Sequence, residues 1–168
     1  YTWESTAGSH TWDSVNKWLE IRTADNKYQT AIRDMALPVS GYAKIEIIKR
    51  GDYPNDNNQY FALEQDADNA YLFKWCGSAY TSQGVSKKVA GVTTDSAMEA
   101  GTVNTDNATF VLEMWWSPVF MKFAINGGVR QEITTGDTTA INPERLAFYN
   151  HQIDVDICSI LIRGEDYT

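Results

Sequence analysis

The fold is decided by FVLEMWWSPVFMKFAING, residues 110–127. Folding FVLEMWW back on VFMKFAI about a symmetric Ser117-Pro118 corner pairs Trp116 with Val119, Trp115 with Phe120, Met114 with Met121 and Glu113 with Lys122. Phe110, Leu112, Met114, Met121, Phe123 and Ile125 then share one wholly apolar face, which belongs to a core. The other face holds Glu113, Trp115, Phe120 and Lys122, and its oppositely charged cross-strand pair places it in or near water. Slipping the register by one residue would bury both charges, which is costly. The stretch reads as an antiparallel hairpin with a dry face and a wet one, and the wet face carries an aromatic ring.

The same alternation recurs along the chain. In GYAKIEIIKRG, Ala43, Ile45 and Ile47 face one way and Lys44 and Glu46 the other; in KWLEIRT, Leu19 and Ile21 alternate with Trp18, Glu20 and Arg22. Strands are expected near 12–23, 28–33, 42–49, 59–64, 70–76, 84–90, 109–116, 119–126, 129–134, 145–149 and 153–162. QDADNA (65–70) and INGGV (125–129) read as hairpin loops, with Asp, Asn and Gly where positive φ is needed. DYPNDNN (52–58) and 91–107 read as polar surface loops; the one short helical candidate lies at 94–100. Half-buried strands in this number predict an all-β fold: two antiparallel sheets packed as a jelly-roll β-sandwich.

The 168 residues suit a single domain, residues 1–168, with a core that needs no metal or disulfide. The start at Tyr1 leads us to expect a segment of a longer, secreted or cell-surface protein, covalently linked to neighbouring domains. A net charge of -8, with Lys and Arg scattered, argues against a nucleic-acid partner. No run of 18 apolar residues exists, so no membrane insertion is expected. Cys76 and Cys158 are too few and too far apart for a zinc cluster; they read as two small buried hydrophobes or as one disulfide.

Six Trp in a chain of this length make outward aromatics the main functional signal. Trp115, beside Glu113, Phe120 and Lys122, is a planar apolar ring flanked by hydrogen-bonding groups. A pyranose offers the complement: a C–H face to stack and hydroxyls to bond. The competing readings are a ring covered by a loop or by a neighbouring domain. Trp116, at the corner, packs an edge or rims a groove. Trp18 with Arg22, Tyr60 with Glu64, and Tyr149 also alternate outward, whereas Tyr71, Phe73 and Trp75 read as core. Strand order decides whether the outward residues cluster.

The C-terminal half, WW followed by MKFAINGGVRQEI, INPERLAFYNH and QIDVDICSILIRG, resembles the concanavalin A-like lectin/glucanase superfamily, particularly laminin G-like and carbohydrate-binding modules. The resemblance rests on Lys122, Phe123, Ile125, Asn126 and Gly127, then Arg145 to Phe148, then Ile153 to Ile157, within residues 108–163. It implies a jelly-roll sandwich, often glycan-binding, sometimes calcium-dependent and in some branches hydrolytic. The hydrolytic branch carries two Glu on an E-x-D-x-x-E strand, as nucleophile and acid/base. Gln152 and Ile157 stand at those two positions here, so a non-enzymatic polysaccharide binder is expected. The alternatives are a protein-interaction sandwich of laminin G-like or SPRY-like type and a glycan-cleaving hydrolase or lyase, the lyase using Tyr149 and His151. Asp66, Asp68 and Asn69 form a weak calcium candidate, against the simpler reading that they build a turn.

Overall fold

A computed structural model describes all residues except 1–3, 6–8, 23–27, 51–58, 76–81, 101–106, 152–153 and 166–168. The described residues form two antiparallel seven-stranded sheets. Sheet I runs β1 (Glu4–Ser5), β4 (Tyr28–Asp34), β13 (Arg145–His151), β6 (Tyr60–Asp66), β7 (Asn69–Lys74), β8 (Ser82–Val89), β9 (Val92–Ala100). Sheet II runs β12 (Gly128–Thr134), β11 (Phe120–Ile125), β10 (Thr109–Ser117), β5 (Gly41–Arg50), β14 (Asp154–Gly164), β3 (Trp18–Arg22), β2 (Ser9–Asp13). This is the predicted all-β sandwich.

Alternation places the core between the sheets. Ala43, Ile45 and Ile47 of β5, Leu112 and Met114 of β10, and Met121 and Phe123 of β11 are all fully buried. They meet Phe61, Leu63, Tyr71, Phe73, Trp75 and Phe148 from sheet I, with the Phe73 and Phe123 rings 6.3 Å apart across the seam. Trp75, Tyr71 and Phe73 are core, as the sequence implied. Truncating an aromatic at this depth costs about 3–5 kcal/mol.

The opening hairpin keeps its two faces but shifts its register. Trp115 pairs with Lys122, Met114 with Phe123, Trp116 with Met121 and Ser117 with Phe120, and Glu113 faces Ala124. The corner is therefore Pro118-Val119 rather than Ser117-Pro118. Proline explains the shift: its fixed φ suits the second residue of a four-residue turn and is disfavoured at the third. Ser117 Oγ accepts from the Val119 N–H at 3.3 Å and supports the turn. Because two residues move together, every side chain stays on its predicted face.

Three further expectations are corrected. The strand expected at 12–23 is two strands, broken by a turn in which Asp13 Oδ1 accepts from the N–H groups of Val15 (2.8 Å) and Asn16 (3.0 Å) and Lys17 takes φ 63°. Residues 92–100, expected as loop or short helix, are the edge strand β9, whose polarity follows from its exposure. The 65–70 turn contains no positive φ; Asp66 Oδ1 accepts from Asp68 N at 2.8 Å and shapes it instead. At the INGGV turn, Asn126 (φ 51°) and Gly127 (φ 78°) do adopt the left-handed geometry expected.

Polar side chains also lie on the inner faces, among them Lys49, Gln83 and Lys87. Lys87 is fully buried, and its ammonium donates to the carbonyls of Pro118 (3.0 Å) and Asp137. It thereby ties β8 to the β10–β11 corner and to the segment after β12. Burial pulls its pKa below that of an ordinary lysine.

Candidate functional site

The outward aromatics do not share one face. Trp18, Arg22, Glu113, Trp115, Phe120 and Lys122 lie on the outside of sheet II; Tyr60 and Tyr149 lie on the outside of sheet I. Trp116 belongs to neither, which corrects its candidacy as a ligand contact. It is fully buried, and its indole N–H donates to Pro38 O at 3.0 Å. Gly41 makes room for it: a Cβ there would stand 2.7 Å from Trp116 Cζ2 and 2.6 Å from Arg163 O.

On sheet II the rings are already engaged. Lys122 Nζ sits 5.1 Å over the Trp115 ring, and Tyr42 leans on the same indole at 5.1 Å between centroids. Arg163 lies over Tyr42 at 4.8 Å and Arg50 over Trp18 at 5.9 Å. Trp115 looks outward, half-buried between Met114 and Trp116, which point inward. A cation and a tyrosine nonetheless occupy its surroundings. Tyr42 Oη donates to Glu113 at 2.6 Å, and burial with that hydrogen bond raises the phenol pKa to about 12. Arg22 is committed as well. With Arg50 it clasps the buried Asp156 at 2.7 Å from each side. Asp154 and Asp156 are thus structural ion-pair partners, and Ile157, at the superfamily's second glutamate position, is core. Gln152 and the side chains of His10 and His151 lie outside the described residues.

Sheet I is different, because β13 pairs with β6. The register sets Tyr149 opposite Tyr60, Ala147 opposite Ala62 and Arg145 opposite Glu64. Directly paired residues share a face, so six outward residues from strands far apart in sequence come together. The two tyrosine rings stack at 4.6 Å and 25°. Ala62 and Ala147, both fully buried, lie between these two pairs in the register. Glu64 is only 5% exposed; its Oε1 accepts from Tyr149 Oη at 2.5 Å and its Oε2 lies 3.1 Å from Arg145 Nη2. Burial first, then the Glu64 hydrogen bond, pushes the Tyr149 phenol far above its ordinary value.

Tyr60, Glu64, Arg145 and Tyr149 line a depression of about 320 Å³, completed by Ala67, Ala70 and Leu72 of the β6–β7 hairpin and Lys88 of β8. A second depression of about 550 Å³ adjoins it through Ala67 and Arg145 and is edged by Asp34, Asp66 and Glu144. Both volumes fall in the range of small-ligand sites. Sequence reading had named Tyr60 and Tyr149 but missed Arg145 and Lys88 as their companions. A signal was present: Tyr60-x-x-x-Glu64 and Arg145-x-x-x-Tyr149 have mirrored spacing, as an antiparallel pair requires.

The turn at Asp66, Asp68 and Asn69 does not fit a calcium ion. Asn69 Nδ2 donates to Asp66 at 2.9 Å, Asn69 Oδ1 accepts from Ala90 N at 3.0 Å, and Asp68 O accepts from Gly91 N at 2.9 Å. The oxygens hold the turn and the adjoining β8–β9 corner instead of converging on a centre. Among the described residues no group of three His, Cys, Asp or Glu side chains is placed to hold a metal; the 52–58 loop lies outside them. Cys158 carries a free, half-buried thiol, raised to about 11 chiefly by burial; Cys76 lies outside the described residues.

No protein-family model and no curated protein matches this sequence. Solved structures do. The carbohydrate-binding module CBM66 from Bacillus subtilis superposes with TM-score 0.63 at 10% identity, over 96% of this chain and 95% of that one. A Bacillus subtilis protein of unknown function with a galectin-like fold gives 0.72 at 10%, over 96% and 89%. The chain has the concanavalin A-like, galectin-type fold. The Crh5 transglycosylase shares it as well, with TM-score 0.71 at 15% identity over 98% and 79%. Identities this low speak for the fold alone.

Proposed function

We propose that this chain is a non-catalytic carbohydrate-binding module that holds a polysaccharide against the outer face of sheet I. The observation that carries the reading is the stacked Tyr60–Tyr149 pair standing beside Glu64 and Arg145 in a depression of about 320 Å³. Aromatic surface takes the C–H face of a sugar ring, while a carboxylate and a guanidinium take its hydroxyls. A fold like that of a carbohydrate-binding module supports the assignment.

The chemistry of the depression supports binding without cleavage. Glycoside hydrolysis needs a pair of carboxyl groups in separate acid and nucleophile or base roles. Glu64 is instead neutralised by Arg145 and hydrogen-bonded by Tyr149. A lyase base would have to give up its proton readily, and Tyr149 is held as a phenol. Affinity is modest, since each aromatic contact adds about 1 kcal/mol beyond area burial.

Affinity electrophoresis through gels containing soluble polysaccharides tests the proposal. At least one glycan should retard the wild-type chain, and Tyr60→Ala and Arg145→Gln should abolish the retardation without loss of the folded circular-dichroism spectrum. Retardation that survives both substitutions, or none with any glycan, would refute it.

A further inference from the structure

The charges around this depression also bear on which sugars it takes, an inference that rests on the binding role proposed above. Both lining cations are already paired. Arg145 Nη2 faces the buried Glu64 carboxylate at 3.1 Å. Lys88 Nζ donates to Ala67 O at 2.7 Å and stands 3.9 Å from Asp68 Oδ1. Beyond Ala67 the groove continues into the depression edged by Asp34, Asp66 and Glu144, all three exposed. Two partnered cations therefore stand among five carboxylates, on a chain whose net charge is already -8.

We infer that the groove selects uncharged sugar chains and rejects those bearing carboxylate or sulfate groups. Among the described residues, an anionic substituent would meet three exposed carboxylates and no cation without a partner of its own, so its lost hydration would go uncompensated. A hydroxyl meets no such barrier, because it donates to a carboxylate and accepts from a guanidinium with equal ease. Arg145, its charge balanced by Glu64 but its side chain 31% exposed, still offers N–H donors to such a group. Specificity thus comes from a repulsive element on the rim as much as from contacts on the floor.

The test sets neutral polysaccharides (glucan, galactan, mannan and fructan) against anionic ones (pectate, alginate and dextran sulfate), in affinity gels and by titration calorimetry at low and moderate salt. The wild type should bind at least one neutral chain, with an affinity that salt hardly changes, and no anionic chain. The double variant Asp34→Asn/Glu144→Gln, on exposed side chains, should raise the affinity for anionic chains relative to that for neutral ones roughly tenfold at low salt. Added salt should erase that gain. Binding to anionic chains in preference to neutral ones overturns the inference while leaving the glycan-binding reading in place. So does a double variant with unchanged discrimination. Binding to no chain at all refutes the glycan-binding reading itself, and this inference with it.

Discussion

Tyr149→Phe removes one hydroxyl from the site and leaves its shape alone. That hydroxyl donates to Glu64 Oε1 at 2.5 Å, and Glu64 is 5% exposed, so water cannot readily take the vacated place. A hydrogen bond to a charged group contributes about 1.5–3 kcal/mol. The stack on Tyr60 at 4.6 Å survives the change, so a loss of about 2 kcal/mol is expected. For a chain of this size that lowers Tm by about 4–8 °C. Tyr42→Phe on the opposite sheet is the matched control. It also removes a phenol-to-carboxylate bond, of 2.6 Å, but Glu113 is partly exposed and water can replace the donor, so it should cost under about 1 kcal/mol. Guanidinium unfolding with a two-state fit measures both, and the slope m should be unchanged. If Tyr149→Phe lies within about 0.5 kcal/mol of wild type, or Tyr42→Phe costs as much, then burial does not govern these bonds as argued.

Trp115→Ala should leave glycan affinity unchanged while costing about 1–2 kcal/mol of stability through its lost contacts with Lys122 and Tyr42; a loss of binding would move the site to sheet II. Gly41→Ala should destabilise by about 1–3 kcal/mol or more, since its Cβ would press on Arg163 O and Trp116; an unchanged melt would show that the strands shift freely there. Burial raises Tyr42 and Tyr71 to about 12, from an ordinary 10.0, and Tyr149 higher still. The folded state keeps protons that the unfolded chain releases, so this stability is fully present below pH 10.0 and is lost as pH rises through 12. Phenolate absorbance should accordingly show a late-titrating group among the nine tyrosines; ionisation of all of them together near pH 10.0 would contradict the burial argument.

Much of the sandwich was legible because alternation is a local property. Ala43, Ile45 and Ile47 mark a buried face within one strand, and the Asn126-Gly127 turn announces its own geometry. The site was legible only in pieces, because it is made by a pairing of strands some eighty positions apart. Glu64 and Arg145 carry no mutual signal until β13 lies beside β6. Tyr60 and Tyr149 could be seen to face outward, but not to touch. Trp115 illustrates the converse. Its outward direction followed from sequence, yet its loss of freedom depends on Lys122 arriving directly opposite, and that hinged on which residues Pro118 allows at the turn.

The central claim is the location of the sugar on the β6–β13 face, and NMR titration of the labelled chain with a neutral oligosaccharide that it binds tests this most directly. The account predicts shifted amide signals clustered around Tyr60, Glu64, Arg145 and Tyr149, with the Trp115 indole N–H unmoved. Shifts centred on Trp115, Lys122 and Tyr42, with β6 and β13 silent, would contradict it.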